Sequence, residues 1–143
     1  MRPGDVDGKD YYFIDRKKFE DGINCGKFAE WAEVHGHFYG TPTESLDSYL
    51  EMQKDVLLDL DVVGGLNLKK MYGERALSIF LVPPSMEELE RRLLGRGTDS
   101  PEVQRLRLKN AIIEMGHKDK FDHMVVNDVL DRACAEIERI IGR

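Results

Sequence analysis

The sequence has few cysteines, no long apolar run and no apolar N-terminal stretch. Its two cysteines, Cys25 and Cys134, are too few for a disulfide framework or a zinc site made of cysteines. Residues 1–5 lack the apolar core of a secretory signal. The longest strongly apolar stretch, residues 77–82, is far shorter than the roughly 20 residues that cross a bilayer. These features predict a cytoplasmic protein with reduced thiols and no membrane association.

Basic residues are also scarce relative to acidic ones. Lysine and arginine number 21 against 27 aspartates and glutamates, so the formal net charge is −6. Such a balance disfavours nucleic acid and anionic membranes as partners, because both attract an excess of positive charge. Hydrophobic residues make up 41% and charged residues 34% of 143 residues, which is typical of one globular domain and excludes a disordered chain.

From residue 43 to the end, predicted strands alternate with predicted helices. Apolar runs typical of strands buried in a parallel sheet occur at residues 55–62, 77–82 and 123–127. Helices are predicted, partly from their capping residues, at about residues 46–53, 66–72, 85–94, 100–115 and 129–141. This order predicts an α/β fold, a parallel sheet flanked by helices, with its functional site beyond the carboxyl ends of the strands.

The first part of the chain predicts a small β-rich subdomain with one helix. Residues 11–14 have the composition of a strand, and Asp15 can cap a helix that ends near residue 24. Residues 28–34 and 37–41 are predicted as two antiparallel strands, because the turn residues His35-Gly36 separate them.

Two aspartates lie near the end of the first predicted core strand. Asp59 and Asp61 are two residues apart, so on a strand they point to the same face. Charged groups in an apolar strand are costly unless they are solvated or paired. They therefore predict a site that holds Mg²⁺ or a hydrogen-bond donor, the alternative being a strand end that simply reaches water.

Arginines are concentrated between residues 91 and 107. They are Arg91, Arg92, Arg96, Arg105 and Arg107. Arg92 and Arg96 share a helix face if the helix extends that far, and the glycines on either side of Arg96 allow the backbone to bend. Arginines around such a hinge can close over a polyphosphate and neutralise its charge. The alternative is a solvated helical surface on which they pair with Glu87, Glu88 and Glu90.

A third set of polar side chains belongs to the β-rich subdomain. It consists of Arg2, Tyr11, Glu30, Tyr39 and Thr41. Tyrosine hydroxyls and an arginine can hold a phosphate monoester, and a carboxylate can accept hydrogen bonds from the N1–H and N2 amine of guanine. Adenine presents an acceptor at N1, so the same carboxylate would reject it. The alternative is that the tyrosines are ordinary strand residues. The histidines have no spacing typical of metal ligands, so no metal site made of histidines is predicted.

Taken together, seven strings resemble the guanylate kinase family, in the order and spacing of that family and over essentially the whole chain. They are RPGDVDGKDY (2–11), FAEWAEVHG (28–36), YGTP (39–42), DVLLDLD (55–61), PPS (83–85), GRGTDS (95–100) and VVND (125–128). The resemblance implies an ATP:GMP phosphotransferase of purine nucleotide metabolism. It also implies one domain, 1–143, with a GMP-binding subdomain at 1–42, a core at 43–84 and 108–143, and a helical lid region at 85–107.

The resemblance assigns roles to individual residues. The GMP phosphate would be held by Arg2, Tyr11 and Tyr39, and the guanine base by Glu30, Thr41 and Asp61. ATP would be bound with Mg²⁺, which is held mainly through the nucleotide phosphates. Asp59 would lie near those phosphates, and Asn127 and Arg96 would bind ATP. The transferring group would be stabilised by Arg92, Arg96 and Arg107.

The sequence departs from the family pattern in the part that would bind the phosphates of ATP. The phosphate-binding motif G-x-x-x-x-G-K-[ST] does not occur, and a strand–loop–helix unit of about 30 residues is expected to be absent before Arg2. Lesser departures are Val63, where the family usually carries Gln, and Phe38, where it often has Tyr. We therefore expect severely impaired phosphoryl transfer.

Three explanations of this departure remain open. One is a truncated kinase, from a late start codon or the choice of expressed segment, and another is a degraded gene. The third is a non-catalytic module that binds GMP or a phosphopeptide. Truncation is favoured because the lid arginines and Asp59 are present. Loss of an internal strand would leave its neighbours with unpaired N–H and C=O groups, so we expect marginal stability or self-association.

Overall fold

The computed structural model describes residues 6–9, 11–34, 36–95 and 101–142, so Arg2 and Arg96 lie outside the described residues. The fold is α/β, as predicted. The chain divides into two compact units, Met1–Met71 and Tyr72–Arg143. The elements of the first unit are α1 (Arg16–Asn24), β1 (Phe28–Val34), β2 (His37–Pro42), α2 (Thr43–Glu51) and α3 (Val62–Tyr72).

The first unit is built around the predicted antiparallel hairpin. β1 and β2 pair with Glu30 opposite Thr41 and with Ala32 opposite Tyr39, after a bulge that follows Phe28. Helix α1 begins where the sequence predicts, because Asp15 Oδ1 accepts a hydrogen bond of 2.8 Å from the backbone N–H of Lys18, the third residue of the helix. The prediction of one helix followed by a hairpin is confirmed.

Helix α1 covers one face of this hairpin, where its Phe19 packs against aromatic side chains of the two strands. The ring of Phe19 stacks on Phe28, with centroids 4.3 Å apart, and on Phe38 at 5.2 Å. Gly40 permits this close packing, since a Cβ there would lie 3.0 Å from both Phe19 and Phe28. Directly paired residues of an antiparallel hairpin share a face. Glu30, Thr41 and Tyr39 therefore lie on the face opposite to Gly40.

The second unit contains a parallel pair of strands among helices. Its elements are β3 (Ile79–Val82), α4 (Met86–Leu94), α5 (Pro101–Met115), β4 (His123–Val126) and α6 (Leu130–Ile140), with short 3₁₀ helices at Gly73–Arg75 and Lys118–Lys120. β3 and β4 are parallel, in a register that places Ile79 beside His123. Ser78 and Asp122 immediately precede β3 and β4, and Ser78 Oγ donates a hydrogen bond to Asp122 Oδ2 at 2.7 Å. This hydrogen bond supports the register in which the two strands pair.

Two predicted strands are wrong. Residues 11–14 form no strand, and only Tyr11 takes part in an isolated bridge, with Asp7. Phe13 instead donates its backbone N–H to the Asp7 carboxylate at 2.8 Å. Residues 54–61 have no regular secondary structure, and Leu57 is 91% exposed. Asp61, expected on the face of a strand, is followed at once by α3, so the helix predicted from residue 66 begins at Val62.

The longest helix in the described residues, α5, has 15 residues. None of the helices formed by the described residues combines the length and the apolar character that crossing a bilayer requires.

Val125 is the residue whose truncation should most clearly destabilise the second unit. Its side chain is 0% exposed on β4, whereas its neighbour Met124 is 49% exposed. We expect Val125→Ala to lower the free energy of unfolding by about 1–3 kcal/mol, because two methyl groups are lost from a packed site. Met124→Ala should change it by less than about 0.5–1 kcal/mol. Urea unfolding of both variants checks this, and equal losses would contradict the placement of Val125 in the core.

Candidate functional site

The exposed face of the hairpin presents a hydrogen-bonded acidic group. Thr41 on β2 donates its hydroxyl to Glu30 Oε1 on β1 at 2.7 Å, directly across the two strands. Both residues are partly buried. One oxygen of the Glu30 carboxylate is thereby fixed, and the bond limits the rotation of the carboxylate group.

Asp61 places a second carboxylate at the N-terminus of α3. Its Oδ1 accepts a hydrogen bond of 2.7 Å from the backbone N–H of Gly64, and its carbonyl oxygen accepts one of 2.9 Å from Gly65 N–H. This is the geometry of an N-cap, in which a carboxylate satisfies an amide that has no partner within the helix. The positive end of the helix dipole also stabilises the charge of the carboxylate.

The two carboxylates meet at Gly64. The position that a Cβ of Gly64 would occupy lies 3.2 Å from Asp61 Oδ1 and 3.3 Å from Glu30 Oε2. Side chains 31 positions apart in the sequence thus face one small volume, as the predicted pocket requires. Ionised carboxylates accept hydrogen bonds and donate none, so the volume between them suits a ligand edge that carries adjacent N–H donors.

The predicted phosphate-binding tyrosines also lie together. The rings of Tyr11 and Tyr39 meet edge to face, with centroids 5.8 Å apart. Tyr39 precedes Thr41 by two residues on β2, so both side chains lie on the face of the hairpin that carries Glu30. The tyrosines and the carboxylates therefore belong to one face of the first unit.

In the second unit, Arg92 links α4 to the end of β4. Its Nη1 donates to the carbonyl oxygen of Asn127 at 2.8 Å, and its Nε donates to Glu88 Oε1 at 2.7 Å. Asn127 in turn donates its backbone N–H to the carbonyl of Val82, at the end of β3, at 2.7 Å. Arg92 and Asn127 are thus brought together beyond the carboxyl ends of two parallel strands, where ligands bind in many α/β folds.

Glu88 is the acidic centre of this arrangement. Arg91 binds it through Nε and Nη2, both at 2.7 Å, and Arg92 binds it from the next position along the helix. The hydrogen bonds from Arg91, and then those from Arg92, lower the pKa of Glu88 to about 2. The surface pairing considered for the arginines therefore occurs for Arg91 and Arg92, although Arg92 also reaches the strand ends.

The other predicted residues are Asp59 and Arg107, besides Arg2 and Arg96, which lie outside the described residues. Asp59 is exposed in the irregular segment before α3, which corrects its placement on a strand facing the same way as Asp61. Arg107 lies half-buried on α5. In the ranges that the structure describes, no three acidic, cysteine or histidine side chains form a group that could hold a metal ion.

One residue with a part in these arrangements, Gly64, was not predicted. The contact between Glu88 and the arginines was expected as the alternative, since i, i+3 and i, i+4 spacing puts opposite charges side by side on a helix. Gly64 gave no such signal, because its closeness to Glu30 depends on how α3 packs against the hairpin.

Comparison with known proteins shows one family. The profile of the guanylate kinase family matches residues 1–143. A guanylate kinase from Corynebacterium jeikeium is 45% identical over 142 residues, which cover 98% of this chain and 75% of the relative. One from Thermus thermophilus is 48% identical over 140 residues, which cover 98% of this chain and 63% of the relative.

Solved structures show the same likeness. The crystal structure of guanylate kinase from Anaplasma phagocytophilum matches with a TM-score of 0.78 and 36% identity, over 99% of this chain and 69% of that one. Among the relatives, a guanylate kinase from Rhodopseudomonas palustris is 45% identical, and the chain spans 64% of its length. The matched relatives are thus longer than this chain of 143 residues.

The low pKa of Glu88 predicts an acid-sensitive contribution to stability. Since the folded-state pKa is lowered from 4.5 to about 2, the contribution is present above pH 4.5 and is lost as the pH falls towards 2. We expect Glu88→Gln to lower the melting temperature at pH 7, and its melting curve to converge with that of the unchanged protein near pH 2. Glu90→Gln, the same charge change on an exposed position of α4, is the control. An equal effect of both variants, or a difference that persists at low pH, would contradict the assignment.

Proposed function

The chain belongs to the guanylate kinase family, and from this premise we propose that it binds GMP and serves the transfer of the γ-phosphoryl group of ATP to it. The observation that carries the proposal is the convergence of Glu30 and Asp61 at Gly64, beside Thr41. The family match supports the reaction, and the geometry of the first unit supports the choice of base.

Recognition of guanine follows from the chemistry of two carboxylates. Guanine presents donors at N1 and at its N2 amine, and Glu30 and Asp61 supply acceptors on the same side of the hairpin. Adenine presents an acceptor at N1, which would face a carboxylate without a hydrogen bond between them. Leaving such acceptors unpaired on binding is costly, so the site should discriminate strongly against adenine.

The phosphate of GMP is proposed to bind at Tyr11 and Tyr39. Their rings are in contact, and both hydroxyls can donate to phosphate oxygens. Arg2, which the resemblance assigns to the same phosphate, would add a bidentate donor and a compensating charge. In this arrangement the base and the phosphate of one nucleotide lie along the face of the hairpin that α1 leaves uncovered.

The ATP side is proposed to involve the second unit. Asn127 would contact the nucleotide near its base, and Arg92, Arg96 and Arg107 would stabilise negative charge on the transferring group. Mg²⁺ would be held mainly through the nucleotide phosphates, with Asp59 nearby, and would neutralise part of their charge. The polar residues bind, orient and screen charge, and none has to form a covalent bond.

We further propose that these 143 residues tested alone transfer phosphate slowly, because they include no G-x-x-x-x-G-K-[ST] loop to cradle the ATP phosphates. A second candidate is a non-catalytic module that binds GMP or a phosphopeptide. It is favoured by the carboxylate–tyrosine face, which brings Glu30 and Asp61 together at Gly64 and Tyr11 against Tyr39. The division at residues 42, 84 and 107, the cytoplasmic location and self-association stay predictions.

Glu30 should determine the affinity for GMP. We expect the chain to bind GMP in preference to AMP, and Glu30→Gln to weaken GMP binding by roughly tenfold to a hundredfold, since a charged hydrogen bond is replaced by an amide that also presents donors. Isothermal titration calorimetry with both nucleotides measures this. Glu33→Gln is the matched control, because Glu33 is exposed on the same strand and points to the opposite face. Equal binding of GMP and AMP would overturn the proposed base recognition.

Turnover separates the two candidate functions. A coupled assay with GMP, ATP and Mg²⁺ should show the chain at least about a hundredfold slower than the Thermus thermophilus relative, because the donors that hold the ATP phosphates contribute on that order. GMP binding without measurable turnover would favour the binding module. A rate equal to that of the relative would contradict the expected impairment.

A further inference from the structure

We propose that Gly64 is a positioning residue that sets base specificity. Because it has no side chain, the carboxylates of Glu30 and Asp61 can approach one another closely enough to face the same edge of a base. The inference rests on the proposed binding of GMP and adds to it a residue that neither contacts the nucleotide through a side chain nor carries charge.

The space around Gly64 leaves little room for even a methyl group. A Cβ would lie 3.2 Å from Asp61 Oδ1, 3.3 Å from Glu30 Oε2 and 3.6 Å from Leu60 Cβ. The first two distances are tighter than ordinary contacts of a Cβ with oxygen, so a carboxylate would have to move by a few tenths of an ångström. Gly64 itself is buried, so the methyl group cannot turn towards solvent.

Neither carboxylate can move without weakening a bond. Asp61 Oδ1 is held by the backbone N–H of Gly64, and Glu30 Oε1 is held by the hydroxyl of Thr41. A side chain at position 64 would push on Asp61 Oδ1 and Glu30 Oε2, and these pushes would strain both hydrogen bonds. The pocket would remain acidic, but its acceptors would no longer match the spacing of the donors.

The backbone gives no other reason for glycine here. Gly64 lies in the first turn of α3 and is not among the glycines with positive φ. Glycine within a helix is less favourable than alanine, because it loses more conformational freedom on folding. Replacement by alanine should therefore stabilise the helix itself. Glycine is required at position 64 because a side chain would crowd the two carboxylates, and not because of the backbone conformation.

The ratio of GMP to IMP affinity tests this assignment. IMP has the N1–H donor but lacks the N2 amine, so the ratio reports how well the paired carboxylates meet both donors. We expect Gly64→Ala to lower GMP affinity about threefold to tenfold and to reduce the ratio, since the hydrogen bonds to carboxylates weaken as the geometry is lost. Gly64→Val, which is larger, should reduce the ratio further. Calorimetry with both nucleotides measures the affinities, and thermal unfolding measures the stability.

A control variant and the melting temperature show whether a changed affinity ratio is specific to Gly64. Asn67→Ala, at an exposed position of the same helix, should leave the ratio unchanged. Gly64→Ala should change the melting temperature little, because the higher helix propensity of alanine offsets the strain at the two hydrogen bonds. If the unchanged protein binds no GMP, the proposed function fails, and this inference with it. If it binds GMP and both Gly64 variants keep its ratio, only the role of Gly64 is overturned. A lower melting temperature of Gly64→Ala, with parallel losses for both nucleotides, would also overturn it.

Discussion

The hydrogen bond from the backbone N–H of Gly64 to Asp61 is the interaction on which the first unit's candidate site depends. It starts α3 and fixes the direction of the Asp61 carboxylate in one step. Two carboxylates in one small volume repel each other, and this arrangement needs compensation. The helix N-terminus supplies it for Asp61, and the hydroxyl of Thr41 supplies a donor for Glu30.

The hairpin can present this site on one face because its other face is packed against helix α1. Phe19 stacks against Phe28 and Phe38 on one side, and Arg16 lies over the Phe38 ring, 4.6 Å from its centroid. Side chains alternate between the two faces of a strand, so packing of the aromatic face fixes which residues face away from α1. A shift of one residue in the register would turn Glu30 towards the aromatic cluster, where a charge would be buried without a partner.

Local signals in the sequence were sufficient to predict the hairpin and the starts of two helices, because the residues that define them are close together in the chain. Asp15 marks the start of α1, the two turn residues after Val34 mark the hairpin, and Ser85 marks the start of α4, where its Oγ accepts the Glu88 amide at 3.2 Å. The segment at 54–61 was mispredicted because an apolar run shows only that burial is favourable, while a strand also needs a neighbour to pair with. The sequence could place Glu30 and Asp61 in one site only through family resemblance, since no periodicity relates a hairpin to the cap of a later helix.

The contacts of Arg92 do not conflict with the part proposed for it in charge stabilisation. A guanidinium has five N–H donors in a rigid plane, and the bonds to Glu88 and to the Asn127 carbonyl use its Nε and part of its Nη1. The remaining donors lie in the same plane and can still meet phosphate oxygens. Holding the group in advance reduces the conformational freedom that would otherwise be lost when the anion binds. Glu88 therefore orients Arg92 while leaving donors for phosphate, and its low pKa keeps it ionised throughout the neutral range.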